Sequence, residues 1–124
     1  MYGLQIERVF SAAHAIIIGG VRETMHGHDW RVRLVVEGSC LDAEGLLCDF
    51  HVLEQHVDAV LAPMHNTTLN DTAPFDKINP TAECVAEHIA KAVSNKVSGN
   101  IERLAVSVTE APGCEATYRM ELTQ

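Results

Sequence analysis

The chain has 124 residues with 47% hydrophobic content, which suffices for one small domain over residues 1–124. Its formal net charge of −8 argues against nucleic acid and against an anionic membrane as partners, because both require a basic surface. No apolar run approaches a membrane span and no signal-peptide pattern is present, so we expect a cytoplasmic protein. The four cysteines lack Cys-x-x-Cys spacing, which predicts reduced thiols.

Two strands are predicted in the first third of the chain. The first covers residues 2–13 and the second runs from His26 to about Ser39, because polar and apolar residues alternate along both. Residues 15–25 between them are predicted to form a loop, which contains three consecutive isoleucines. These isoleucines either cover a metal pocket or pack at a subunit contact, and the sequence does not choose between the two.

Two helices follow, separated by a long loop. Asp49 is a suitable N-cap for the first helix, which should stop at Pro63. Residues 64–78 are rich in Asn, Thr, Asp and Pro and predict an ordered loop of the kind that is often functional. Asn79-Pro80 is predicted to open the second helix, and Ser98-Gly99-Asn100 to end it.

The last third of the chain predicts a hairpin. Alternation over residues 104–109 and 116–123 indicates two strands, and Pro112-Gly113 supplies the turn between them. The resulting order, ββααββ, predicts an α+β fold in which both helices lie on one face of the sheet.

Three histidines form the strongest functional signal. His26 and His28 are two residues apart in a strand, so their rings share one face about 7 Å apart and can share a metal ion. His14 ends the first strand on the face that carries its apolar residues, and pairing of the two strands would bring all three rings together. Three imidazoles with an open fourth position are typical of catalytic zinc. The alternative is that each is an ordinary polar residue at a strand end.

Several short motifs occur in an order that resembles the 6-pyruvoyltetrahydropterin synthase and 6-carboxytetrahydropterin synthase family. They are Phe10-Ser11-Ala12-Ala13-His14, His26-Gly27-His28, Asp49-Phe50, Asn79-Pro80-Thr81-Ala82-Glu83 and Thr109-Glu110. The resemblance implies a tunnelling fold, with a four-stranded antiparallel sheet and two helices on one face. It also implies a homo-oligomer, trimer or hexamer, with active sites at subunit contacts. The implied chemistry is a Zn²⁺-dependent lyase reaction on 7,8-dihydroneopterin triphosphate or a close relative.

The resemblance also implies a substrate-binding role for Glu110, together with Thr109. A carboxylate can accept the ring N–H and the neighbouring amino N–H of a pterin in one bidentate contact. The competing interpretation is a solvated glutamate at the end of a strand.

One departure concerns the catalytic base. Many family members carry a catalytic Cys four residues before the His-x-His pair, and here that position is Arg22. Glu23 lies three residues before His26, which is similar to the Glu-x-x-His-Gly-His variant called type III. That variant implies Glu23 as the general base and 6-hydroxymethyl-7,8-dihydropterin, a folate precursor, as the product. The alternative is a solvated loop glutamate.

A second departure lies in the middle loop. The family motif Leu-Asp-His-x-x-Leu-Asn corresponds here to residues 64–70, which places His65 where the family has Asp. His65 is predicted to relay a proton from this shifted position. The product therefore stays open among 6-hydroxymethyl-7,8-dihydropterin, 6-pyruvoyltetrahydropterin and 6-carboxytetrahydropterin, and the pathway among folate, queuosine or another. Two further alternatives are a zinc- and pterin-binding paralogue without the standard activity and an assembly protein with a structural zinc.

Overall fold

The computed structural model describes residues 1–122. Its elements, in chain order, are β1 (Tyr2–His14), β2 (Ile17–Ile18), β3 (Val21–Arg22), β4 (His26–Gly38), α1 (Phe50–Leu61), β5 (Thr67–Thr68), a short 3-10 helix (Leu69–Asp71), α2 (Ala82–Ser94), β6 (Arg103–Ala111) and β7 (Cys114–Glu121). Thr123, the end of the predicted fourth strand, lies outside the described residues.

The main sheet has the strand order β5-β1-β4-β6-β7. Its four long strands are antiparallel, and both helices pack on one face, so the predicted α+β fold is confirmed. The sheet is larger than the predicted four strands, because β5 adds a two-residue parallel pairing to β1. Two-residue strands are too short for an alternating pattern to reveal them.

The segment predicted as a loop over residues 15–25 contains a two-stranded ribbon of β2 and β3. Gly19 and Gly20 connect its strands with φ angles of +58° and +80°. Positive φ at both central residues is what a tight type I′ turn requires, and glycine adopts it without a steric cost. Ile17 and Ile18 of the ribbon are exposed.

The pairing of β1 with β4 sets the positions of the core and of the site. The register places Phe10 opposite Trp30 and His14 opposite His26. Phe10 and Trp30 are both buried, and their stacked rings have centroids 5.7 Å apart. The apolar face of both strands therefore continues directly into the histidine positions.

The helix boundaries match the predictions at the first helix and differ at the second. Asp49 caps α1, accepting a hydrogen bond of 2.7 Å from the amide of His51. Thr81 caps α2, so Pro80 precedes the helix, and the prediction that Asn79-Pro80 opens it was wrong. The helix ends at Ser94, ahead of the predicted end at residues 98–100. At this end the Ser94 hydroxyl donates a hydrogen bond to the carbonyl of Lys91. Neither helix combines the length and the hydropathy that a transmembrane segment needs.

Candidate metal centre

Three imidazole rings meet at one end of the sheet. His14 ends β1, His26 begins β4 directly opposite it, and His28 follows on the same face of β4. Ring centroids are 4.7 Å apart for His14 and His26, 5.3 Å for His14 and His28, and 4.6 Å for His26 and His28. The structure thus brings together the three residues that the sequence predicts as metal ligands.

Glu110 is the fourth member of this group. Its Oε1 atom lies 2.8 Å from Nε2 of His14, 3.3 Å from Nε2 of His28 and 3.7 Å from Nε2 of His26. One ligand atom from each of the four residues lies within 4.8 Å of the others, so the group can hold a metal ion. The sequence predicted Glu110 as a pterin ligand and did not place it among the histidines.

A local irregularity of the sheet accompanies the position of Glu110. The register of β6 against β7 shifts between Thr109 and Ala111. Irregularities of this kind change the direction of a side chain and are frequent beside active sites. In the sequence, Glu110 continues the even-numbered alternation of Val106 and Val108, which indicates their face of the sheet but does not identify the histidines as its neighbours.

Backbone carbonyls orient two of the rings. Nδ1 of His14 lies 2.8 Å from the carbonyl oxygen of Pro80, and Nδ1 of His26 lies 2.8 Å from that of Thr24. A carbonyl oxygen only accepts, so each Nδ1 donates, and in the neutral ring each Nε2 keeps its lone pair. The lone pair of His14 then faces a carboxylate oxygen of Glu110, which is also an acceptor. A proton on Nε2 or a metal ion bound by both atoms would satisfy the pair.

His28 gives a second indication that the donor set fits a metal ion. Its Nε2 atom is buried and makes no hydrogen bond, since the contact with Glu110 lacks hydrogen-bond geometry. Burial lowers the pKa of His28, which favours the neutral form of its ring. The pKa of His26 is raised, first by its hydrogen bond to the carbonyl of Thr24 and further by the Glu23 carboxylate. Imidazole nitrogens with a carboxylate oxygen suit zinc, which stays a prediction.

Glu23 lies at the rim of the histidine group. Its Oε1 atom is 3.6 Å from Nε2 of His26 and accepts a hydrogen bond of 3.1 Å from the amide of Ile16. Arg22, at the position of the missing Cys, is exposed. A carboxylate thus lies beside the histidines, and the type III assignment stays a prediction.

His65 and Thr109 lie outside the four-residue group. Nδ1 of the exposed His65 accepts a hydrogen bond of 3.1 Å from the amide of Ser11. The Thr109 hydroxyl donates to Glu115 over 3.3 Å, on the sheet face opposite the helices. An open cavity of about 470 Å³ extends from His28 to Asn66, next to His65. The catalytic role of His65 and the substrate-binding role of Thr109 stay predictions.

Comparison with known sequences identifies the family. The sequence model described as 6-pyruvoyl tetrahydropterin synthase matches residues 3–121. The chain is 32% identical over 101 residues to a dihydroneopterin monophosphate aldolase of Pyrococcus furiosus, covering 82% of each protein. It is 30% identical over 118 residues to a 6-carboxy-5,6,7,8-tetrahydropterin synthase of Bacillus subtilis, covering 88% of this chain and 79% of that protein.

Solved structures support the same assignment at the level of the fold. The 6-pyruvoyl tetrahydropterin synthase of Plasmodium vivax superposes with a TM-score of 0.84 at 20% identity, covering 98% of both chains. The enzyme of Caenorhabditis elegans superposes with a TM-score of 0.77 at 22% identity, covering 97% of both chains. With the family model matching nearly the whole chain, this protein belongs to the 6-pyruvoyl tetrahydropterin synthase family.

Proposed function

We propose that this protein is a zinc-dependent lyase that shortens the side chain of a phosphorylated 7,8-dihydroneopterin to give 6-hydroxymethyl-7,8-dihydropterin. The observation that carries the proposal is the convergence of three Nε2 atoms on the Glu110 carboxylate, with the Glu23 carboxylate beside them. The relative from Pyrococcus furiosus is an aldolase for a dihydroneopterin phosphate, which supports both the substrate class and carbon–carbon cleavage. The substrate is 7,8-dihydroneopterin triphosphate or a close relative such as the monophosphate.

Each residue of the site has a distinct part in the proposed reaction. His14, His26 and His28 would hold Zn²⁺, which supplies a Lewis acid for hydroxyl oxygens of the substrate side chain. Glu110 accepts the paired N–H groups of the pterin ring. A carboxylate has two oxygens with about four lone-pair sites, so Glu110 can face the histidines and the pterin together.

Glu23 is the general base. It takes the proton from the hydroxyl on the second side-chain carbon, and the bond between the first and second carbons breaks to leave an aldehyde. The electron pair moves into the C6–N5 imine of the ring, and protonation of the first carbon completes the hydroxymethyl group. The second product is the phosphorylated two-carbon aldehyde. A glutamate is named as a catalytic residue in the Plasmodium vivax enzyme, which supports a carboxylate in this role.

Product analysis of the zinc-loaded protein tests the proposal. Anaerobic incubation with 7,8-dihydroneopterin monophosphate or triphosphate, followed by chromatography, should yield 6-hydroxymethyl-7,8-dihydropterin and the two-carbon aldehyde phosphate. Metal analysis of the His26→Ala, His28→Ala double variant should show loss of zinc while the circular dichroism spectrum of the fold persists. Full zinc occupancy in this variant would exclude the histidine site.

Two other functions are distinguished by the same experiment. The Bacillus subtilis relative favours formation of 6-carboxytetrahydropterin, which would replace the hydroxymethyl product in the chromatogram. Arg22 at the usual Cys position and His65 outside the histidine group favour a zinc- and pterin-binding paralogue without the standard activity. Such a paralogue would bind neopterin and form no product.

A further inference from the structure

Two asparagine side chains hold the chain segment that follows His14. Asn70 accepts a hydrogen bond of 2.9 Å from the amide of Ala15 and donates one of 2.8 Å to its carbonyl. Asn79 makes the same pair of bonds, both 2.9 Å long, with the amide and carbonyl of Ile17. Each carboxamide therefore pairs with one residue as a neighbouring strand would.

Ile16, which lies between Ala15 and Ile17, forms its hydrogen bonds on the opposite edge of this segment. Ile16 donates its amide to Oε1 of Glu23 over 3.1 Å and accepts the amide of Glu23 over 3.0 Å. This alternation is expected in an extended chain, where backbone groups of successive residues point to opposite edges. Residues 15–17 thus lie between two asparagines on one edge and Glu23 on the other.

The chemistry of the side chain explains why asparagine occupies both positions. A carboxamide carries one acceptor oxygen and a donor nitrogen, which is the set that a peptide group offers to a strand. Aspartate would retain the acceptor and place a second oxygen against the carbonyl of Ala15 or Ile17. Neither asparagine belongs to the four-residue group at the histidines.

We propose that Asn70 and Asn79 are positioning residues that replace a neighbouring strand along residues 15–17 and thereby hold the Glu23 carboxylate against His26. The path is continuous, because Glu23 is bonded through both its amide and its carboxylate to Ile16, which the two asparagines flank. The effect on catalysis, through Glu23 as the base, rests on the proposed function. The effect on the backbone of residues 15–17 does not.

Amide hydrogen exchange tests the backbone part, with Asn79→Asp as the variant. The informative amide is that of Ile16, because it donates its hydrogen bond to Glu23, whereas Asn79 bonds to Ile17. We expect its exchange to accelerate roughly fivefold or more, as loss of one hydrogen bond predicts. Asn95→Asp, at an exposed residue that caps the end of α2, is the matched control and should leave this amide unchanged. An unchanged Ile16 amide in a folded Asn79→Asp protein would overturn the proposal.

Steady-state kinetics of the same variant provides a second test. In Asn79→Asp, kcat should fall about tenfold or more while KM and zinc content stay near those of the parent, since a displaced base slows the reaction without removing a binding contact. Should Asn79→Asp fail to fold, Asn70→Asp provides the same test from the other bond pair. If the parent forms no product, the proposed function fails, and the exchange of the Ile16 amide still decides whether the asparagines position Glu23.

Discussion

The two carboxylates beside the histidines differ in what holds them. Glu110 lies within the group, with Oε1 at 2.8 Å from His14, and Glu23 lies at its rim, bonded to the backbone of Ile16. Identical side chains in such different settings can perform different tasks. Variants of the two should therefore separate binding from turnover.

Glu23→Gln keeps the size of the side chain and removes the basic carboxylate. We expect kcat to fall about 100-fold or more with little change in pterin affinity, in line with the usual contribution of a general base. Steady-state kinetics with the dihydroneopterin phosphate measures this, and Glu44→Gln on an exposed turn serves as the matched control. Full activity of Glu23→Gln would contradict the type III assignment and make His65 the better candidate for the base.

Glu110→Gln should act on binding. A glutamine presents a donor where two substrate protons must be accepted, so substrate and unreactive pterins should both bind more weakly. Titration with neopterin, followed by fluorescence, measures the affinity directly and requires no turnover. Unchanged neopterin affinity, with zinc content normal, would show that Glu110 does not bind the pterin ring.

At the level of elements, the Asp49-Phe50 motif has a structural explanation. Asp49 caps α1 through its bond to the amide of His51, and caps of this kind contribute about 1 kcal/mol. We expect Asp49→Ala to lower the free energy of unfolding by about 1 kcal/mol in urea, and Asp49→Asn, which retains the acceptor, to lower it much less. An equal loss in both variants would mean that the Asp49 charge, and not the cap, stabilises the helix.

Within the described residues 1–122, both edges of the main sheet are left without a full partner strand. On one side β7 ends the sheet, and on the other β5 pairs with only Ala12 and Ala13 of β1. Large apolar side chains are also exposed around the N-terminal end of the first helix, namely Tyr2, Leu41, Leu46, Phe50 and Val52. Open edges and exposed apolar surface are usually covered by association.

These edges and apolar side chains favour association, and the family resemblance implies three or six copies, so we expect a trimer or a hexamer in solution. Sedimentation equilibrium at micromolar concentration should give a mass three or six times that of the 13.6 kDa chain. Each chain carries a formal net charge of −8, so the chains repel one another. Added salt screens this repulsion and should therefore favour the assembly. A stable monomer under these conditions would exclude the predicted assembly.

Local patterns in the sequence were sufficient to predict the main strands, the first helix and the convergence of the three histidines. Alternation predicts the face of each residue in a strand, so one assumption, that the first two strands pair, places His14 with His26 and His28. The cap at Asp49 was equally readable, since it depends on a side chain two residues from its partner amide.

Features that depend on contacts between residues far apart in the sequence became visible only in the folded chain. Asn70 and Ala15 are 55 positions apart and Asn79 and Ile17 are 62, and no local pattern encodes such a pair. The carboxylate of Glu110 reaches His14 across 96 positions, at an irregularity in the sheet. Local sequence determines which face of a strand a side chain occupies. Which side chains meet at the end of β1 depends on how the middle loop folds beside that strand and on Glu110 reaching it from β6, across β4.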